Sequence, residues 1–499
     1  MKKYLLEAVV FLCGAIVMIL EIVGARVLAP YQGTSIFVWT SLIGIILGSL
    51  SLGYWWGGKL ADRNPSYRVF SLIIFIAGVV VALITFSKEL LLIFIRNHFN
   101  DIRVGATIAA LALFAAPSVL LGMVSPYAVK LRIDDLNTSG ATVGYLYAIS
   151  TIGSIIGTFL AGFVLIAYFG NTKILLVLSI ALMLTSLLAY SETFSKAKLA
   201  VLALVGASLF LVERVNLFGM PQWDGFIDVD TQYSRVWIFD TQDEKSKRPM
   251  RLMMIGNERS SAMFLNHDDL VFEYTKYYRL AAHFRPDLKS ALMLGGGAYS
   301  YPKDYLKRLP TATLDVVEID PALTDLAKKY FALKDNDRLK IHHEDGRVFI
   351  NDTKRKYDAV FVDVFKSLGV LPYQLTTREA VQKIYDVLTD EGVVLVNMIS
   401  GIDGDVGMFL RAEYATYRAI FPQVHLFPVR DLEDGETVQN IVLIALKATA
   451  KPALRSADPE LDGYLQHLWT REIKQDMPIL TDDFAPVDHY LAAISQRVD

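Results

Sequence analysis

Long apolar runs in the first 215 residues constrain the fold of this chain more than any other feature. Stretches of roughly 18 to 27 residues rich in Leu, Ile, Val, Ala, Gly and Phe recur there, the length needed to cross a bilayer. In hydrocarbon every backbone N–H and C=O must be paired within the protein, so such runs fold as helices. We predict a transmembrane domain of about seven helices over residues 1–215.

Small residues and buried charges distinguish this apolar half. Glycines spaced by four or five residues let helix backbones approach closely, which predicts a compact helix bundle. They are Gly44, Gly48, Gly53, Gly57 and Gly58, and later Gly153, Gly157 and Gly162. Glu21 and Arg26 lie in the first apolar run, where a charge is costly and needs a partner or a cavity. These two charges indicate either an ion pair that joins helices or a path for a substrate or ion.

The rest of the chain has the pattern of an α/β protein. Residues 224–265 alternate between apolar and polar, which predicts a small β-unit within residues 216–285. From residue 286 to 499, predicted strands alternate with predicted helices, which is typical of a Rossmann-like domain with a mainly parallel sheet. The formal net charge of −3 gives no indication of a nucleic-acid partner.

Glycines and acids follow four predicted strands of this second half. In parallel sheets ligands bind at the carboxyl ends of the strands, so these residues are expected to share one site. They are Gly295, Gly296 and Gly297 after the first strand, Glu318 after the second, Asp345 and Gly346 after the third, and Asp363 after the fourth.

The chemistry of these residues indicates a nucleoside cofactor. Glycines let the backbone pass close to a ligand, and the carboxylate of Glu318 can accept both hydroxyls of a ribose. Asp345 lies where a purine would be, and Asp363 is aimed at the reacting centre. The loop lacks the G-x-G-x-x-G arrangement of dinucleotide sites, which disfavours NAD. The chain has one cysteine, Cys13, and its histidines are scattered, so we expect no metal site.

The segments LGGGA, VVEID, EDG and YDAVFVD together resemble the spermidine synthases, aminopropyltransferases of polyamine biosynthesis with a methyltransferase-type fold. The tail LTDDFAPVDHYL resembles the membrane-fused branch of that family. The resemblance implies S-adenosylmethionine, or its decarboxylated form, as co-substrate, with Glu318 at the ribose and Asp345 at the adenine. Asp363 would be the catalytic base and Tyr277 would flank the reacting amine. Tyr373 and Gln374 match the loop that encloses the family's substrate.

The chain departs from the family where a diamine would bind. Acids of the soluble members are replaced by Ala298, Arg279 and Lys366, and two glutamines by Ser234 and Ser260. Like charges in a confined site disfavour a dication such as putrescine. We therefore predict that Arg279 and Lys366 bind a substrate carboxylate, and that the enzyme releases methylthioadenosine while using an atypical acceptor.

Other functions remain compatible with these residues. They are an S-adenosylmethionine lyase or cyclase, a methyltransferase, and a transporter or sensor of polyamines or nucleosides, which the loop GGKLADR slightly favours. The expected partners are a small-molecule substrate and the lipid bilayer, with no nucleic acid; the resemblance adds a homodimer. Basic loops with seven spans place the second half outside the cell. Its chemistry instead predicts a multi-pass inner-membrane protein with a cytoplasmic catalytic domain.

Overall fold

The computed structural model describes residues 3–99, 101–133, 139–190, 196–211, 225–256, 258–365 and 371–495. These residues form two compact units. One contains residues 1–224 with 229–234, and the other contains residues 225–228 with 235–499.

Every element that the structure describes in the first unit up to residue 211 is a helix. Six of its helical stretches are long and apolar enough to cross a membrane, and the helix near residue 200 is shorter. The helices are α1 Lys3–Gln32, α2 Ile36–Arg63, α3 Tyr67–His98, α4 Ile102–Gly122, α5 Val124–Arg132, α6 Ser139–Leu160, α7 Ile166–Tyr168, α8 Asn171–Ala189 and α9 Lys196–Leu211, with a π-helical turn at Ala161–Leu165 between α6 and α7.

Glycines permit the tightest helix contacts of this unit. A Cβ atom on Gly53 would overlap the carbonyl oxygen of Val119 in α4. In the same way, Gly153 and Gly157 of α6 lie against the backbone of α1, at the carbonyl oxygens of Phe11 and Ala15. The close packing predicted from the glycine spacing is therefore confirmed at these positions. It is not found at Gly44, Gly48, Gly58 and Gly162, where an added Cβ would meet no described residue of another element within 4 Å.

The second unit begins with a four-stranded sheet in which neighbours in sequence are neighbours in space. The β2–β3 and β3–β4 pairs are antiparallel. The predicted β-unit thus consists of β1 Ile227–Asp230, β2 Arg235–Gln242, β3 Pro249–Ile255 and β4 Glu258–Phe264.

A seven-stranded sheet of order β10-β11-β9-β8-β5-β6-β7 forms the centre of the second unit. Strands β5 to β9 are parallel, and β11 runs antiparallel to both of its neighbours. The predicted Rossmann-like fold with a mainly parallel sheet is confirmed. The strands are β5 Ser290–Leu294, β6 Thr313–Val317, β7 Leu339–His342, β8 Tyr357–Val362, β9 Leu388–Ser400, β10 Gln423–Pro428 and β11 Gln439–Leu446.

Helices cover both faces of this sheet, so its central strands are apolar on both sides. Every residue of β8 is buried, as its sequence YDAVFV requires of a strand without a solvent face. The helices of this unit are α10 Glu273–Tyr277, α11 Leu280–Phe284, α12 Ser300–Arg308, α13 Pro321–Tyr330, α14 Gly346–Asp352, α15 Arg378–Val387, α16 Met408–Arg418, α17 Pro459–Leu465 and α18 Val487–Ser495.

Candidate functional site

The predicted glycines and acids meet along the carboxyl edge of the large sheet. Gly295 directly follows β5, Glu318 directly follows β6, and Asp363 directly follows β8. Since β5 lies between β8 and β6, and strands are about 4.8 Å apart, these residues span roughly 10 Å. That width matches a nucleoside laid across the strand ends. Asp345 follows β7 at the far end of the same row.

The glycine loop after β5 has no room for side chains. Gly295 has φ +89° and Gly297 has φ +51°, a conformation that favours glycine. A Cβ on Gly296 would come within 2.8 Å of the Tyr299 ring, and one on Gly297 within 2.6 Å of the Ser261 hydroxyl. The loop is therefore packed so closely against neighbouring protein atoms that only glycine fits at these positions.

Gly295→Ala is expected to destabilise the second unit by about 2 kcal/mol or more, because alanine disfavours this φ. Its Cβ would also overlap the Asp363 carbonyl oxygen. Thermal unfolding and cofactor binding measure the effect. Gly463→Ala is the matched control, since a Cβ there meets open space. Equal unfolding midpoints and equal cofactor affinities for both variants would contradict this role of the loop.

Glu318 is held at the glycine loop by three backbone donors. Its carboxylate accepts from the N–H groups of Gly296 at 2.9 Å, Gly297 at 3.1 Å and Asp320 at 3.0 Å. Burial raises the pKa of Glu318, and these three hydrogen bonds oppose that shift. A carboxylate fixed beside the loop suits the predicted contact with ribose hydroxyls, which stays a prediction.

Asp345 begins helix α14 and caps it. Its carboxylate accepts from the N–H of Arg347 at 2.8 Å and from that of Val348 at 3.2 Å. Gly346 follows, with Leu375 at 3.6 Å from the position of an added Cβ. The cap explains the Asp-Gly pair structurally, and the contact of Asp345 with adenine remains a prediction.

Asp363 has polar neighbours that are all neutral among the residues the structure describes. The Tyr274 hydroxyl donates to Oδ2 at 3.3 Å, and Asn397 Nδ2 donates to Oδ1 at 3.1 Å. Burial raises the pKa of Asp363 to about 6, although Asn397, Tyr274 and Tyr278 act to lower it. A carboxylate with this pKa is ionised near neutral pH and is a stronger base than an exposed aspartate.

The structure corrects the predicted place of Tyr277. The hydroxyl of Tyr277 lies 2.8 Å from His467 Nδ1, and its ring packs on Tyr464. The tyrosines that face Asp363 are Tyr274 and Tyr278 instead. The prediction failed because Tyr274, Tyr277 and Tyr278 are three or four residues apart in a helical segment, where side chains at such spacings lie near one another. The sequence does not tell which of the three hydroxyls reaches the Asp363 carboxylate.

The structure also corrects the role predicted for Arg279. Its buried guanidinium donates to both carboxylate oxygens of Asp304, at 2.8 and 3.0 Å. It also pairs with Asp269 at 3.0 Å and with Glu460. Three carboxylates already use its donors, which is what a buried guanidinium requires. Arg279 is therefore a structural ion-pair residue and does not supply a free charge for a substrate carboxylate.

The remaining predicted substrate residues follow β8 in the sequence. Lys366 is outside the described residues. Tyr373 is 53% exposed, and the backbone oxygen of Gln374 accepts from Arg347 at 2.8 Å. Arg347 thus joins the start of α14, beside Asp345, to this segment. The substrate contacts of Lys366, Tyr373 and Gln374 stay predictions.

Sequence reasoning missed Asn397 and Ser261. Asn397 is a buried amide in the apolar strand β9, and this polar residue in the run GVVLVNMIS was a usable signal. The Ser261 hydroxyl accepts from the N–H of Ala298 at 3.0 Å and so ties β4 to the glycine loop. Nothing in the local sequence indicates that contact, since 37 residues separate the partners.

A known protein family matches the part of the chain that contains this site. The sequence model of the spermine/spermidine synthase domain matches residues 274–400, from Tyr274 through the strand that carries Asn397. This chain contains a spermine/spermidine synthase domain. The matched residues of the synthase domain include the glycine loop, Glu318, Asp345 and Asp363.

Curated relatives of the synthase domain carry the name of aminopropyltransferases. The polyamine aminopropyltransferase of Vibrio vulnificus is 26% identical over 232 residues, which cover 44% of this chain and 75% of the relative. The probable polyamine aminopropyl transferase of Bifidobacterium longum is 29% identical over 219 residues, or 40% of this chain and 48% of the relative.

The synthase domain is also similar to methyltransferases. A human eEF1A lysine and N-terminal methyltransferase is 30% identical over 181 residues, which cover 34% of this chain and 24% of the relative. Among solved structures, a probable spermidine synthase from Corynebacterium glutamicum matches with a TM-score of 0.41 and 22% identity, over 51% of this chain and 89% of that one.

Proposed function

We propose that this protein is a membrane-integral, spermidine-synthase-like transferase that cleaves S-adenosylmethionine or its decarboxylated form and releases methylthioadenosine. The position of Asp363 carries this proposal. Asp363 is an ionisable carboxylate of raised pKa that lies directly beside the glycine loop. It follows β8, the strand next to β5. Its acceptor would be an amine other than putrescine, or a group within the cofactor itself.

The proposed reaction needs a positioned nucleophile and a base. The lone pair of the acceptor nitrogen attacks the carbon through which the aminopropyl or aminocarboxypropyl chain is bonded to the sulfonium, and a C–N bond forms. The C–S bond breaks, and its electrons neutralise the sulfur, which leaves as the thioether of methylthioadenosine. Asp363 takes the proton that the new ammonium loses. Holding the two reactants in line supplies much of the rate gain in such a transfer.

The neutral surroundings of Asp363 support an atypical acceptor. Putrescine carries two ammonium groups, and each needs an anionic or polar partner when it leaves water. The side chains of described residues that hydrogen-bond to Asp363 are a tyrosine hydroxyl and an asparagine amide, neither of them charged. A single carboxylate suits a monoamine or an internal nucleophile better than a dication.

The residue after the glycine loop supports use of the undecarboxylated cofactor. Ala298 is fully buried in an apolar cluster with Val236, Ile238 and Met253. In the family that this chain resembles, soluble members carry an acid here, one of the acids that would hold a diamine. Alanine supplies no anion at this position, which disfavours putrescine and leaves the undecarboxylated cofactor as the form that we propose.

Mass spectrometry of the purified protein incubated with each cofactor form tests the proposal. We expect methylthioadenosine from S-adenosylmethionine without added putrescine, and weak putrescine binding by calorimetry. Tight putrescine binding, together with turnover of only the decarboxylated form, would overturn the acceptor and cofactor assignments.

Methyl transfer is the second candidate, and the similarity to the human methyltransferase favours it. The same cofactor would then lose its methyl group, and the product would be S-adenosylhomocysteine. The mass spectrum separates the two functions, because one predicts methylthioadenosine and the other S-adenosylhomocysteine.

We propose an inner-membrane location with the synthase domain in the cytoplasm. Six long apolar helices, an even number, support this, because the basic loops then place both ends of the set inside. The 16 residues of α9 rise about 24 Å, less than the roughly 30 Å of hydrocarbon. Fusion of reporter domains before α1 and after α18 tests this topology. The homodimer implied by the family resemblance remains a proposal.

A further inference from the structure

Two asparagines lie in line behind Asp363. Asn397 Nδ2 donates to Asp363 Oδ1 at 3.1 Å, and Asn440 Nδ2 donates to Asn397 Oδ1 at 3.0 Å. The strand register explains the row. Asn397 lies opposite Val442, and Asn440 lies opposite Ile399, so the two amides project from the same face of β9 and β11.

The hydrogen bonds of this row have one direction. An amide oxygen only accepts and an amide nitrogen only donates. A carboxylate oxygen accepts, so Asn397 must turn its nitrogen towards Asp363 and its oxygen towards Asn440. Asn397 is 1% exposed, so water has little access to replace either bond. Rotating its amide by half a turn would place an oxygen against the carboxylate.

The two oxygens of Asp363 therefore differ. Oδ1 accepts from the Asn397 amide, whereas the Tyr274 hydroxyl donates to Oδ2 at the longer distance of 3.3 Å. Among the described residues, Tyr278 is the other hydroxyl that faces this carboxylate. We propose that Asn440 and Asn397 are positioning residues that keep Oδ1 occupied and so reserve Oδ2 as the atom that takes the proton of the acceptor. This inference rests on the proposed function of Asp363 as the base.

Other groups that influence Asp363 do not titrate in the working range. Among the described residues, the titratable side chains that face it are Tyr274 of α10 and Tyr278, between α10 and α11. Burial raises the pKa of both tyrosines well above the ordinary value, so both stay neutral. Asn397 and Asn440 carry no titratable group. A change in the acid limb of the pH–rate profile therefore reports on the carboxylate of Asp363.

Substitutions at Asn440 test the positioning pair at a residue one step removed from Asp363. In Asn440→Asp a carboxylate would attract the Asn397 nitrogen and turn its oxygen towards Asp363, which disfavours the ionised base. We expect the acid limb of methylthioadenosine formation to move up by about one pH unit, a loss of roughly fivefold at pH about 6 that approaches tenfold at lower pH. Near pH about 9 the rate should recover to within about twofold of wild type.

Two further variants make the result specific. Asn440→Leu removes the donor without adding a charge, so it should shift the acid limb in the same direction by a smaller amount. Asn336→Asp adds the same charge at an exposed turn and should leave the profile unchanged, because its new carboxylate can still accept from the N–H of Arg338. An Asn440→Asp profile that coincides with wild type, or that falls equally at every pH, would overturn the proposal.

A second readout separates this inference from the proposed function. Infrared titration of full-length protein labelled with ¹³C-aspartate reports protonation of Asp363, with Asp363→Asn to assign the band. Asn440→Asp should shift that titration upwards even if wild type forms no methylthioadenosine. An unshifted band would reject the positioning pair, whereas a shifted band without product would reject only the proposed reaction.

Discussion

Asp363→Asn is expected to lower the rate of methylthioadenosine formation by about 10²–10⁴-fold, because the proton of the attacking nitrogen loses its acceptor. The amide is close in size to the carboxylate, and it can still accept from Asn397 through its oxygen. Cofactor binding should therefore change little while turnover falls. In wild type, turnover should decline as the pH falls through about 6, the pKa of Asp363, because the base becomes protonated.

The same substitution should stabilise the protein at neutral pH. Burial raises the pKa of Asp363 from 3.8 to about 6, so the folded protein loses stability relative to the unfolded chain as the pH rises between those values. Asparagine removes that cost, which is roughly 3 kcal/mol at pH 7. Thermal unfolding of the full-length protein should show a higher midpoint for Asp363→Asn at pH about 7, with the difference vanishing near pH about 4.

Asp352→Asn serves as the control for charge. Asp352 ends α14 and is exposed, so its replacement should alter neither turnover nor the unfolding midpoint. Full turnover in Asp363→Asn would remove Asp363 from the chemistry. Intact transport of a polyamine or nucleoside by a variant without turnover would instead support a transporter with a catalytic domain attached.

Arg279→Met is expected to destabilise the second unit by about 3–5 kcal/mol, because it leaves buried carboxylates without their counter-charge. Asp304 is 8% exposed, and of its ion pairs with described residues it would keep only the 3.3 Å contact with Arg308, at the edge of the cluster. Asp269 and Glu460 would lose the same partner. The unfolding midpoint measures this effect, and the Michaelis constants of the folded fraction should stay close to wild type.

Two comparisons make the Arg279 result specific. Arg259→Met breaks a surface pair with Glu244, whose side chains are 58% and 73% exposed, and should change stability little. Arg279→Met combined with Asp304→Leu removes both buried charges and should recover part of the loss. A large rise in the Michaelis constant of the cofactor with unchanged stability would instead return Arg279 to the substrate site.

The sheet and its row of site residues were predictable because their signals are local. A mostly apolar run that ends in an acidic residue, such as YDAVFVD, indicates a buried strand and places Asp363 at its carboxyl end. Parallel pairing then aligns the carboxyl ends of these strands. The common position of Gly295, Glu318 and Asp363 can therefore be predicted without knowing any long-range contact.

The contacts that sequence reasoning did not find connect residues far apart along the chain. The partners of Arg279 lie up to 181 residues away, so its charge indicated a ligand while its geometry indicates an ion pair. Tyr274 and Tyr277 lie on adjacent turns of α10, and only packing decides which hydroxyl faces Asp363. Asn440 reaches Asp363 through a third residue, a relation that no motif encodes.

The glycine contacts between α1 and α6 imply a different temperature dependence for the two units. If these helices lie in a bilayer, as we propose, backbone packing at Gly153 and Gly157 releases no water, so separating them should carry only a small heat-capacity change. The large sheet buries its apolar strands away from water, and its unfolding should carry a large one. Cooling below the temperature of maximum stability should therefore weaken the sheet domain while leaving the helix pair almost unaffected.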